Sequence, residues 1–130
     1  MGKTISIVNE KGGCAKTTTA YSLAQGLFMV GYKVLGVDMD SQGNFSTTWG
    51  SDPDCIGIYD VLAKNEPVRD AIQVKPDRFD LISGDKLLRD FAARTSYDTN
   101  FMLHDVLAEV EDEYDFIIID THKNNTIFCK

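Results

Sequence analysis

Along this chain the spacing of apolar positions changes from block to block, and each change marks an element. Residues 3–8, KTISIV, are short and rich in β-branched side chains, which predicts a strand almost at the start. From Lys16 to about Val30 the apolar positions Ala20, Leu23, Ala24, Leu27 and Phe28 recur at helical spacing, and Gly31 suits the helix end. KVLGVD, 33–38, reads as a second strand. Strand, glycine-rich turn, helix and strand in that order pack naturally as a right-handed βαβ unit. Residues 44–54 look like a loop; IYDVLAKN, 58–65, reads as a short helix, and Pro67 opens a helical turn to Ile72. RFDLISG, 78–84, predicts a third strand, after which Asp85 caps a helix through Phe91 and Ala92. Leu103, Val106, Leu107 and Val110 mark one face of a further helix, whose acidic end, EVEDE, suits a solvated face or turn. The clearest strand is DFIIID, 115–120, in which apolar residues run together without alternation, as in a parallel strand covered on both faces.

These elements predict an α/β fold built on a mostly parallel sheet with flanking helices. The most hydrophobic strand comes last. It needs neighbours on both edges, which later strands would normally supply. The remaining stretch, THKNNTIFCK, is polar and short. The pattern therefore predicts a sheet truncated after this strand, with 1–121 as the N-terminal part of one domain and 122–130 as an aberrant polar tail.

Composition narrows the function classes. A chain of 130 residues, 43% hydrophobic and 25% charged, suits one soluble globular domain. A net charge of −7 argues against a broad nucleic-acid-binding face on this segment. Cys14, Cys55 and Cys129 lie far apart and form no CxxC pair, so reduced thiols in a cytoplasmic protein are expected. His104 and His122 are too isolated to suggest a metal site. No apolar run is long enough to span a membrane, and the start lacks a signal-peptide pattern.

The chemistry concentrates in NEKGGCAKTT, 9–18, between the first strand and the first helix. Glycines let backbone N–H groups close on a phosphate, and a helix N-terminus adds unpaired donors and a positive dipole end. Lys16 can reach the β- and γ-phosphates, and the Thr17 hydroxyl can sit on Mg²⁺. The strict pattern GxxxxGK[ST] is not met: Glu10 and Ala15 occupy its glycine positions. Asp38 and Asp40 end the second strand in VLGVDMDSQGN, and Asp120 ends the last in DFIIID. Each aspartate alone reads equally as a solvated strand end. Together with the loop they would meet outside one edge of a parallel sheet, where such folds bind ligands.

NEKGGCAKTT, VLGVDMDSQGN and DFIIIDT together resemble the ParA/MinD family of deviant Walker-A ATPases, with ParA/Soj partitioning proteins as the nearest pattern. The family loop, KGGxGKTT, carries an additional signature lysine, which explains Lys11 and the missing first glycine. The resemblance implies a P-loop NTPase-like fold with ATP and Mg²⁺ as cofactors. Gly12, Gly13, Cys14, Ala15 and the backbone through Thr18 would wrap the phosphates, with Lys16 neutralising their charge. Thr17 would bind Mg²⁺, with Asp38 and Asp120 assisting its shell. Asp40 would orient the attacking water. Lys11 would reach across a homodimer to the partner's ATP, as an arginine finger does in trans. The resemblance also implies nonspecific DNA and a ParB-like activator as partners, and no membrane. Three departures stand out: Ala15 before Lys16, Ser41 in place of a proline, and His122 and Lys123 where two prolines usually follow Asp120 and Thr121.

Other readings compete. A truncated, noncatalytic nucleotide-binding or oligomerising module fits the short sheet. An ATP-dependent ligase or synthase shares the nucleotide fold, but Lys11 suits the partitioning branch better. An iron-protein reductase needs cluster cysteines, which Cys129 alone does not supply. MinD-like placement would need a C-terminal amphipathic helix that these residues do not show.

Overall fold

The computed structural model describes residues 3–9, 13–94 and 99–122. Five strands form one sheet: β1 (Lys3–Asn9), β2 (Val34–Met39), β3 (Ile72–Lys75), β4 (Arg78–Ile82) and β5 (Phe116–His122). Their spatial order is β1-β5-β2-β4-β3. β5 runs parallel to both β1 and β2, and β2 runs parallel to β4, while β3 pairs antiparallel with β4. The expected mostly parallel α/β sheet with flanking helices is present.

The order corrects one expectation. β5 needs no later strand, because it inserts between the two earliest, with Ile118 opposite Ile5 on one side and Gly36 on the other. Among the described residues the edge strands are β1 and β3. β5 also runs two residues beyond Asp120, and His122 lies in register with Asn9. Residues 123–130 of the expected polar tail lie outside the described residues.

The uninterrupted apolar run of β5 reflects burial on both faces. Ile117 and Ile119 face a core shared with Leu35, Val37, Ile58, Leu103 and Leu107. That core lies under α3 (Ile58–Lys64), α4 (Val68–Ala71), α5 (Leu87–Arg94) and α6 (Thr99–Leu107). Ile118 faces the opposite core, with Ala20 and Ala24 of α1 (Gly13–Met29) and Phe45 and Trp49 of α2 (Asn44–Trp49). The alternation of strand side chains thus splits three consecutive isoleucines between two cores. The side chain of Asp85 caps the start of α5, accepting the amide of Leu87 at 2.8 Å, as its sequence position suggests.

Two elements depart from the pattern reading. Part of the expected loop at 44–54 is the six-residue α2, entered through Gly43 (φ 69°) and left through Gly50 (φ 85°). Glycine tolerates both left-handed positions, and Phe45 and Trp49, one turn apart, turn into the core. IQVK, 72–75, forms β3 and turns back through Pro76 and Asp77, pairing Lys75 with Arg78. The acidic segment after α6 includes a 3₁₀ turn at Glu111–Glu113 with no buried residue, as a solvated turn requires.

Candidate functional site

Strand register assembles the carboxyl edge. Asp120 of β5 lies opposite Ile7 of β1 and opposite Asp38 of β2. Both aspartates are completely buried, and Asp40, just past the end of β2, is nearly so. At the same edge, β1 ends at Asn9 and the 17-residue α1 begins at Gly13. A helix N-terminus offers N–H donors that lack intrahelical partners and the positive end of the helix dipole. Gly13, Cys14, Ala15, Lys16 and Thr17 form the first turns of α1 by backbone placement, and Thr18 is exposed. Lys11 and Gly12 lie outside the described residues. Ala15 sits within helical backbone, a conformation that costs alanine nothing.

Asp38 is held from three sides. Its Oδ1 accepts the backbone amide of Asp40 at 3.0 Å. Its Oδ2 accepts the amide of Ser46 at 2.9 Å and the Ser46 hydroxyl at 2.6 Å. The Ser46 Oγ in turn accepts the amide of Gly84 at 2.8 Å, joining the loop after β4 to the group. Gly84 packs so close that a Cβ there would lie 2.7 Å from the carbonyl oxygen of Asp38. Burial pushes the Asp38 carboxyl up to about 6, against the lowering effect of both Ser46 bonds, and the charge of Asp120 adds to the rise. Asp40 anchors its own turn: its Oδ1 accepts the amide of Gln42 at 2.9 Å and its carbonyl accepts the amide of Gly43 at 3.0 Å.

The structure therefore brings Asp38 and Asp120 side by side, with Asp40 and the α1 N-terminus at the same edge. Ser46 and Gly84 are members of this group that the motif reading missed. Ser46 follows the VLGVDMDSQGN stretch by two residues, and only the three-dimensional contact shows its importance. Beside this edge, the segments at 41–47, 51–57 and 83–86, with Asp60 of α3, line a cavity of about 490 Å³ whose wall includes Gln42, Asp54 and Lys86.

The donor set suits a magnesium nucleotide. Among the described residues, no group of three or more His, Cys, Asp or Glu could hold a metal ion by itself. Mg²⁺ ordinarily takes one or two carboxylates and completes its shell with water and phosphate oxygens. Carboxylates beside a helix N-terminus that can receive those phosphates fit that requirement. Among the described residues, no helix is long and apolar enough to cross a membrane.

Comparison with known proteins agrees with this fold. Residues 2–130 match the sequence pattern of an AAA domain family. The chromosome-partitioning ATPase Soj of Treponema pallidum (strain Nichols) is 40% identical over 129 residues, covering 92% of this chain and 48% of that protein. A solved structure of cobyrinic acid a,c-diamide synthase from Mycobacterium smegmatis, with bound ADP and magnesium, is similar at TM-score 0.85 and 29% identity, over 95% of this chain and 52% of that one. A plasmid partition protein from Borrelia burgdorferi is similar at TM-score 0.81 and 30% identity, over 95% of this chain and 57% of that one. The chain spans about half the length of these proteins.

Proposed function

Since the chain belongs to the AAA domain family, with the ParA/MinD group of deviant Walker-A ATPases as its branch, we propose that it binds MgATP as a switch in chromosome or plasmid partitioning. The observation that carries this reading is the register pairing of Asp38 with Asp120 at the sheet edge where α1 begins. In this proposal the backbone from Gly12 and Gly13 through Cys14, Ala15 and Thr18 cradles the phosphates. Lys16 neutralises their charge, and Thr17 is the hydroxyl ligand of the ion. Mg²⁺, when bound, screens the phosphate charge. Asp120 supports the metal shell, and Asp38, whose two oxygens already accept hydrogen bonds, acts from behind it. Asp40 orients the attacking water. Lys11 reaches the nucleotide of a second subunit, so ATP favours a homodimer. That dimer binds DNA nonspecifically in the cytoplasm, and a ParB-like partner triggers hydrolysis.

The similarity to an ADP-bound synthase structure favours a second reading, an ATP-dependent synthase on the same fold. The higher sequence identity to Soj and the presence of Lys11 support the partitioning reading over it. A noncatalytic binding module is the third alternative.

Equilibrium titration with ATP, ADP and GTP, with and without Mg²⁺, tests the proposal. We expect saturable, Mg²⁺-dependent ATP binding, weakened at least ~10-fold in Lys16→Ala by loss of a charge-assisted phosphate contact. A folded sample that binds no nucleotide would sink the switch and leave the binding-module reading. Binding without ATP-dependent dimerisation would turn attention to the synthase reading.

A further inference from the structure

We propose that Ser46 is a positioning residue that clamps the carboxyl edge of the sheet to α2 and to the loop after β4. The clamp is one side chain and one amide. Ser46 is buried, its hydroxyl donates to Asp38 Oδ2, and the same oxygen accepts from Gly84. Its backbone amide gives Asp38 a second bond.

This arrangement answers a need of α2. The helix opens at Gly43, which has no side-chain oxygen to cap the free amides of the first turn. Ser46 is the third residue of α2, and Asp38 accepts the amide that an N-cap side chain would ordinarily take. The carboxylate of β2 therefore caps a helix from outside it. Its other oxygen holds the amide of Asp40, so the same group fixes the turn bearing the proposed water-orienting residue. Any change at Asp38 is felt in α2, and any displacement of α2 is felt at Asp38 and Asp40. Gly84 completes the clamp, since a side chain there would strike the Asp38 backbone.

The consequence for Mg²⁺ rests on the nucleotide reading above; the clamp itself does not. Ser46→Ala and Ser46→Thr, made in the full chain, separate the two. Ser46→Cys, close in volume but a weak hydrogen-bonding group, is the second loss variant and carries the same expectations as Ser46→Ala. Without nucleotide, we expect amide exchange across 39–45 and 83–86 to accelerate about tenfold in Ser46→Ala, with the β1-β5 ladder unchanged. With ATP, the affinity gain conferred by Mg²⁺ over EDTA should fall by about tenfold, while metal-free affinity stays within about twofold. Ser46→Thr, which keeps the hydroxyl, should recover both. Unchanged exchange overturns the clamp. Accelerated exchange with an unchanged Mg²⁺ gain overturns the positioning role. If the wild-type chain binds no MgATP, the switch reading fails and exchange alone decides the clamp: acceleration keeps it, and wild-type rates overturn it.

Discussion

Asp38 holds a carboxylate where burial disfavours charge, and three hydrogen-bond donors only partly offset that cost. Its carboxyl therefore sits at about 6 in the folded chain against an ordinary 3.8. The folded chain keeps a proton over that interval that the unfolded chain has already released. The stabilisation from this site is complete below about pH 4 and is lost as pH rises through about 6, a swing of about 3 kcal/mol. The titration of the Asp38 carboxyl carbon followed by NMR should show a midpoint near 6 without nucleotide; a midpoint near 4 would contradict the burial. A bound Mg²⁺ nearby should draw the midpoint down, because a positive charge favours the ionised form. The aspartates were legible as candidates because a carboxylate ending a strand is a local feature. The weight carried by Ser46 and Gly84 was not legible, because their bonds span 8 and 38 residues of sequence.

At the scale of elements, α2 and β2 are joined through the absence of a side chain. Gly36 lies at the middle of β2, beneath the rings of Phe45 from α2 and Phe79 from β4, which stack with centroids 5.7 Å apart. A Cβ at Gly36 would come within 2.7 Å of the Phe79 ring and 3.0 Å of Phe45. Both rings are fully enclosed, and Tyr21 of α1 meets them edge-on, so neither has free space to yield. Gly36→Ala should lower stability by about 1–3 kcal/mol through overpacking. Urea unfolding would record this as a lower midpoint at unchanged slope, and a shift equivalent to less than ~0.5 kcal/mol would mean the rings repack freely. The same element shows why pattern reading overlooked α2. Six residues bounded by glycines give too few turns for a helical period to emerge, and only the Phe45–Trp49 spacing hinted at one. β3 is shorter still, and its burial runs against its polarity: Gln73 is buried and Val74 exposed, so no regular alternation marks this edge strand.

For the whole molecule, the decisive arrangement is the insertion of β5 between β1 and β2. It gives the most apolar strand partners on both sides and, among the described residues, leaves β1 paired with a strand on one side only. Amides of Ile117 to Asp120 should therefore exchange slowest in the chain. Those of β1 that point away from β5 should exchange markedly faster. Residue-resolved hydrogen exchange checks this. Equal protection on both edges of β1 would show that a second copy or another segment covers it, as open edges tend to require.

The order of the longer elements, the parallel α/β class and the candidacy of the β1–α1 segment as a phosphate cradle were legible in the sequence itself. Each rests on short-range properties: the period of apolar residues, the freedom of glycine and the placement of charged groups at strand ends. Tertiary structure alone decided which strands are neighbours, and hence that Asp38 faces Asp120 and that Ser46 locks Asp38 to Gly84. Strand neighbours are selected by burial of both sheet faces at once. That is a property of all the elements packed together, which no local stretch of the chain encodes alone.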